Sequence, residues 1–132
     1  GMADPNALTV AVSAANAVHQ IGMPEAKIIL AEAVVYMATA PKSNASYMGL
    51  EKAMSAVQNT KISRIPVHLM DAHYKGAAKL GHGDGYKYAH DYENHYVNQQ
   101  YLPDELVNEV FYNPGDLGYE VKVKEHFKKI KG

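Results

Sequence analysis

The chain has 132 residues, 47% hydrophobic and 20% charged, which excludes a disordered or collagen-like chain and fits a single globular domain spanning residues 1–132. It contains no cysteine, which removes disulfides, thiolate nucleophiles and cysteine-based zinc or iron–sulfur sites. The formal net charge of -1 exerts no global pull on nucleic acid or acidic membranes, yet residues 81–118 carry -6 and residues 119–132 carry +3.

In chain order, Asp4-Pro5 reads as an N-cap followed by the first helical position, opening a helix that runs to Ile21 and stops at Gly22. Its polar residues Thr9, Ser13, Asn16 and Gln20 form one narrow stripe. Pro24-Glu25 opens a second helix, ended by Pro41, with Glu25, Glu32, Tyr36 and Thr39 as a similarly thin polar stripe. The apolar run over 28–40 is short and interrupted by Glu32, so it does not span a bilayer. A surface helix of a small domain needs an apolar face of little more than 100°. Two helices that are apolar around most of their circumference have a surplus to bury against another domain or another copy.

A third helix, capped by Ser43 or Asn44 and ended by Asn59-Thr60, carries Tyr47, Leu50, Met54 and Val57 as an ordinary apolar face. Residues 62–69 read as a connector or one short strand around Pro66, and a short helix follows from about Ala72 to Leu80. Residues 81–102 sustain no period and read as a long ordered loop rich in Tyr and Gly. Leu102-Pro103-Asp104-Glu105 opens another short helix. The last helix begins near Asp116, with Tyr119, Val123, Phe127 and Ile130 on one face and Lys128, Lys129 and Lys131 at its end. The expected architecture is all-α: a compact helical domain of about five to six helices.

Four constellations could carry chemistry. Gly81, Gly83 and Gly85 lack the strand before and helix after that a phosphate cradle needs, so they read as a sharp turn. His68, Asp71, His73 and His90 could ligate a metal in a metal-dependent enzyme, but no pair falls at the helical i, i+4 spacing. No G-x-S-x-G elbow supports a nucleophilic serine. A DNA- or partner-docking module would use Lys87, Lys128, Lys129 and Lys131, although the tyrosine-rich segment is acidic enough to repel phosphate.

Five stretches are more specific. They are Ala3-Asp4-Pro5-Asn6-Ala7, Ile21-Gly22-Met23-Pro24-Glu25-Ala26, Ala40-Pro41-Lys42-Ser43-Asn44-Ala45, Gly85-Tyr86-Lys87-Tyr88-Ala89-His90-Asp91-Tyr92 and Gln100-Tyr101-Leu102-Pro103. Together they resemble the C-terminal region of the replication-associated recombination protein A family of AAA+ ATPases, relatives of the Werner-helicase-interacting protein, over essentially the whole chain. The resemblance implies a helical, non-catalytic domain that follows the ATPase core and holds subunits together, typically as a homotetramer. It implies a cytoplasmic, nucleoid-associated parent: a DNA-dependent ATPase of replication-fork maintenance, repair and recombination, using ATP and Mg and acting with single-stranded DNA-binding protein. The Walker motifs and arginine finger belong to the part that precedes this region, so no catalytic, cofactor or metal residue carries over. The residues that do carry over are Pro41, Lys42, Ser43, Asn44, Gly85, Tyr86, Lys87, Tyr88, His90, Asp91, Tyr101, Leu102 and Pro103. Structural support, contact with the ATPase core and partner recruitment all remain open as their roles.

Overall fold

The computed structural model describes residues 1–73 and 75–131. Among them are four α-helices: α1 (Asn6–Ile21), α2 (Ala26–Thr39), α3 (Ala45–Asn59) and α4 (Tyr119–Lys131), with no strand. The all-α expectation therefore stands, but the count of five to six helices is corrected to four. The two short helices expected after α3 are single 3₁₀ turns, Ala77–Leu80 and Asp104–Leu106. Gly76 interrupts the first at φ 98, and part of that expected helix (Tyr74) lies outside the described residues. The second closes three-residue bonds from Leu106 N–H to Pro103 C=O at 2.9 Å and from Glu109 N–H to Leu106 C=O at 2.9 Å. A segment this short, bounded by Asn113-Pro114, gains too few bonds to offset helix nucleation.

The helix ends have local causes. Asp4 Oδ1 accepts the Asn6 N–H at 3.1 Å, so Asp4 caps α1 as its position before Pro5 suggests. Gly22 closes α1 at φ 76, its N–H bonded to Val18 C=O. Ala40 leaves α2 in an extended conformation, as a residue before proline must. Ser43 Oγ accepts the Ala45 N–H at 3.1 Å at the start of α3.

The chain divides into two units. The first comprises Gly1–Gly49 and Tyr112–His126; the second comprises Leu50–Phe111 and the chain from Phe127 onward. In the first unit α1 and α2 pack as a hairpin along a seam of small residues, with Ala14 and Ala26 buried and Ala17 and Ala33 half-buried. Tyr36 Oη ties the hairpin's far end to its entry, donating to Asp4 at 2.9 Å and accepting from Asn6 Nδ2 at 3.2 Å. In the second unit Val97 and Leu106 are buried, the apolar residues that are so among those described. His68 Nε2 lies 2.7 Å from Gln100 C=O, and Ser63 N–H donates to Glu105 at 3.0 Å.

Candidate assembly interface

The polar stripes of the α1–α2 hairpin lie on its surface as expected: Thr9, Ser13 and Glu32 are exposed and, with the less exposed Val10, Ala17, Ile29 and Ala33, line an open groove of about 340 Å³. Neighbouring faces of both helices are apolar and exposed. On α1 they carry Leu8, Ala11, Val12 and Ala15, and on α2 Ile28, Ala31, Val35 and Ala38, with Ile28 74% exposed. The α1 set falls at i, i+3, i+4 and i+7 and the α2 set steps by 3, 4 and 3 residues, both the spacing of one helix face. α3 departs from expectation: its apolar face of Tyr47, Leu50, Met54 and Val57 is exposed as well, Leu50 by 59%. The small residues Gly49 and Ala53 form its covered side instead.

Beside the hairpin the Pro41-Lys42-Ser43-Asn44 motif acts as a junction. Lys42 Nζ donates to Met37 C=O at 2.7 Å and to Ala40 C=O at 2.6 Å, satisfying carbonyls at the end of α2. The Asn44 C=O accepts the first backbone bond of α3, from Met48 N–H at 2.9 Å. With Asp4, Met37 and Ala40, these motif residues line an open cleft of about 610 Å³.

The junction is clasped by a residue that sequence reasoning did not single out. Glu120, in the first turn of α4, has no exposed surface. Its Oε1 accepts the Tyr112 hydroxyl at 2.9 Å, its Oε2 accepts the Gly115 N–H at 2.9 Å, and the Ser43 hydroxyl faces the same carboxylate. Burial is the largest single influence on this carboxyl and acts upward. Ser43, Gly115, Tyr112 and the nearby Lys124 charge together outweigh it and hold Glu120 below the usual carboxylate range. Burial, helped by the Glu120 charge, raises Tyr112 in turn. Next to it, Tyr119 N–H donates to Ala3 C=O at 2.8 Å, and Gly118 passes over Ala3 and Pro41 at φ 56. An acid in the first turn of a helix normally reads as a partner of the helix dipole, so nothing in the local pattern marked Glu120 as buried.

In the second unit the Gly85–Tyr92 motif lies in the long loop. Gly81, Gly83 and Gly85 take φ 68, 81 and 81, as the turn reading required. The Gln99 side-chain amide brackets Lys87, accepting its N–H at 3.2 Å and donating to its C=O at 2.9 Å, while Lys87 Nζ reaches Asn98 C=O at 3.2 Å. The same Gln99 donates to Tyr101 Oη at 2.9 Å. Gln100 Nε2 donates to Leu102 C=O at 2.8 Å and to Asp104 at 2.7 Å, and Pro103 C=O accepts the Leu106 N–H. Gln99 thus links Lys87 to Tyr101, and Gln100 holds the Leu102–Asp104 corner, roles that pattern alone did not identify. Tyr86, Tyr88 and Tyr101 remain exposed, and Asp91 lies in the Ala89–Asp91 turn with its side chain in solvent.

The metal-enzyme alternative does not survive the geometry. His68 is engaged with Gln100 C=O, Asp71 and His73 pair at the surface at 3.0 Å, and His90 stacks on other rings. Among the described residues no group of three or more His, Cys, Asp or Glu side chains is placed to hold a metal ion. The His73 amide and ring hold the Asp71 carboxyl below its usual range, the ordinary result of a local hydrogen-bonded turn. Of the lysines proposed for DNA docking, Lys128, Lys129 and Lys131 are exposed at the end of α4, and Lys131 lies 5.3 Å over the Phe127 ring. No helix among the described residues is long and apolar enough to cross a membrane.

Comparison with known proteins places this geometry in a family. Residues 1–131 match the family described as MgsA AAA+ ATPase C terminal. An uncharacterised AAA domain-containing protein of Mycobacterium tuberculosis is 48% identical over 131 residues, covering 99% of this chain and 29% of its own length. Replication-associated recombination protein A of Bacillus subtilis is 42% identical over 131 residues, covering 98% of this chain and 31% of that protein. Its Escherichia coli counterpart is 37% identical over 126 residues, covering 95% and 28%. The chain therefore spans less than a third of the length of these relatives.

Proposed function

Because the chain belongs to the MgsA AAA+ ATPase C-terminal family, we propose that residues 1–132 form one oligomerisation domain that holds together copies of a DNA-dependent ATPase. The observation that carries this reading is the exposed apolar surface. The chain exposes 9986 Å². Two separate compact units of half its mass would together expose only about 8,300 Å², so roughly 1,700 Å² per chain is in excess whatever the arrangement of the units. Stable interfaces bury about 800 Å² per partner, and obligate ones more. Exposed apolar side chains on α1, α2 and α3, among them Leu8, Val12, Ile28, Val35, Leu50 and Met54, contribute to that surface. A second copy of the chain, repeated into a closed homotetramer, is the cover that fits such surfaces.

The assembly would bring the ATPase cores of the parent into register, with ATP and Mg bound there and not in this region. The name of the Bacillus subtilis and Escherichia coli relatives, replication-associated recombination protein A, supports a place in replication-fork maintenance, repair and recombination. Contacts with DNA and with single-stranded DNA-binding protein belong to the parent, in the cytoplasm at the nucleoid.

The test is the absolute mass by light scattering coupled to gel filtration. Four copies of 14.5 kDa give about 58 kDa. The double variant Ile28→Glu/Val35→Glu places charges only on the outer face of α2, so its helical circular dichroism should stay native while the mass falls toward 14.5 kDa. A wild-type chain that elutes as a monomer at micromolar concentration sinks the proposal.

A further inference from the structure

We propose that the tyrosine-rich loop of the second unit is a docking surface for an arginine-bearing polypeptide segment. Three rings stand there in a row: Tyr88 lies 5.0 Å from His90 between ring centroids, and His90 lies 4.8 Å from His95. All three are exposed, Tyr88 by 56%. Folded chains ordinarily bury the body of a tyrosine and keep only its hydroxyl wet. The row is held in place. Gln99 brackets the Lys87 backbone on both sides, and Lys87 Nζ turns to Asn98 C=O. Asn94 and His95 take left-handed conformations, φ 55 and 53, which L-residues rarely adopt, and the chain turns back there to set His95 against His90.

Charge selects the occupant. Residues 81–111, the part of this stretch in the second unit, carry six acids against Lys87 alone, a net -5. Asp91 and Glu93 flank the ring row, and among the described residues neither forms an ion pair. A stacking platform for nucleobases would have to accept their phosphates, which this surface repels. A guanidinium suits it: planar, permanently charged and weakly hydrated, it stacks on a ring face while its N–H groups reach a carboxylate. Lysine brings the charge without the plane.

Fluorescence anisotropy on the 132-residue chain tests this, with a fluorescein-labelled peptide of alternating glycine and arginine as probe. The glycine–lysine peptide and labelled single-stranded oligothymidine run in parallel. The arginine peptide is expected to bind, the lysine peptide to bind at least about threefold more weakly, and the oligonucleotide not to bind at the same salt. Tyr88→Phe keeps the ring and the affinity, whereas Tyr88→Leu/His90→Leu weakens binding about tenfold. Asp91→Asn/Glu93→Gln weakens it too, and flattens its salt dependence. Equal affinity for the two peptides overturns the proposal. So does an unchanged affinity in the leucine variant, or oligonucleotide binding that depends on the rings. If the leucine variant loses its native circular dichroism, the peptide comparison and the carboxamide variant decide.

Discussion

Replacing Glu120 with glutamine keeps the shape of a fully covered charged side chain and removes only its charge. In the native clasp two oxygens serve three donors: the Tyr112 hydroxyl, the Gly115 amide and the Ser43 hydroxyl. A glutamine has one oxygen. It must stay with Gly115, whose N–H cannot turn, while the new NH₂ group meets the Tyr112 oxygen, which can rotate to accept. Hydrogen bonds to a charged acceptor contribute about 1.5–3 kcal/mol each, against about 1 kcal/mol for neutral pairs, so weakening them together costs about 2 kcal/mol. Alanine leaves the donors facing a void and costs about 3–4 kcal/mol. The pH dependence follows from the same contacts. Glu120 is held below its ordinary value of 4.5, so its contribution is complete above that pH and is lost as pH falls through the lower native value. Glutamine has no proton to gain. The stability gap between wild type and Glu120→Gln is therefore full at neutral pH and closes progressively below about pH 4.5. Urea unfolding followed by helical circular dichroism, at one fixed protein concentration, measures it. A gap that stays constant into acid, or widens there, would refute the clasp.

The clasp's neighbours give two smaller tests. Gly118→Ala adds a methyl that overlaps the Ala3 carbonyl oxygen and sits 2.9 Å from Pro41 Cγ at a positive φ, so it costs about 3 kcal/mol. Gly85→Ala also sits at positive φ but meets open space and costs only about 1 kcal/mol. Thermal unfolding should separate the two by several degrees, and equal melting points would count against the close approach of Gly118 to Ala3. Lys42→Met keeps the aliphatic stem but gives up the bonds to the Met37 and Ala40 carbonyls. Those carbonyls lie where water can reach them, so the loss is about 0.5–1 kcal/mol by urea titration. A loss well above that range would mean that the ammonium holds more than the end of α2.

Much of the first unit was legible because its signals are local. Asp4 before Pro5, Gly22 after the first helix and Pro41 after the second act within a turn of themselves, and the structure places them where those rules put them. The expected short helices failed for the opposite reason. Gly76 at φ 98 breaks the first, and the run from Asp104 to Tyr112 is too short to sustain a helix without packing, so 3₁₀ turns take their place. Glu120 was out of reach because its burial comes from Tyr112, Gly115 and Ser43, which converge only in the fold. The motif residues of the long loop were visible as types in a pattern, but the pattern held no trace of Gln99 as the group that brackets Lys87 and Tyr101.

The apolar face of α3 marks the limit of periodicity as an argument. Tyr47, Leu50, Met54 and Val57 repeat at 3, 4 and 3 residues, as a covered face does, yet all four are exposed. A 3-4-3 spacing states that a face is to be covered and is silent on whether the cover is the same chain or another. Supply decides. Packing α1 against α2 uses the alanine seam of Ala14, Ala17, Ala26 and Ala33, leaving each helix a second, larger apolar face outside. Among the described residues the outer stripes of α1, α2 and α3 stay exposed, Leu8 by 73%, Ile28 by 74% and Leu50 by 59%. Apolar surface left uncovered on three helices supports the proposal that further copies cover it.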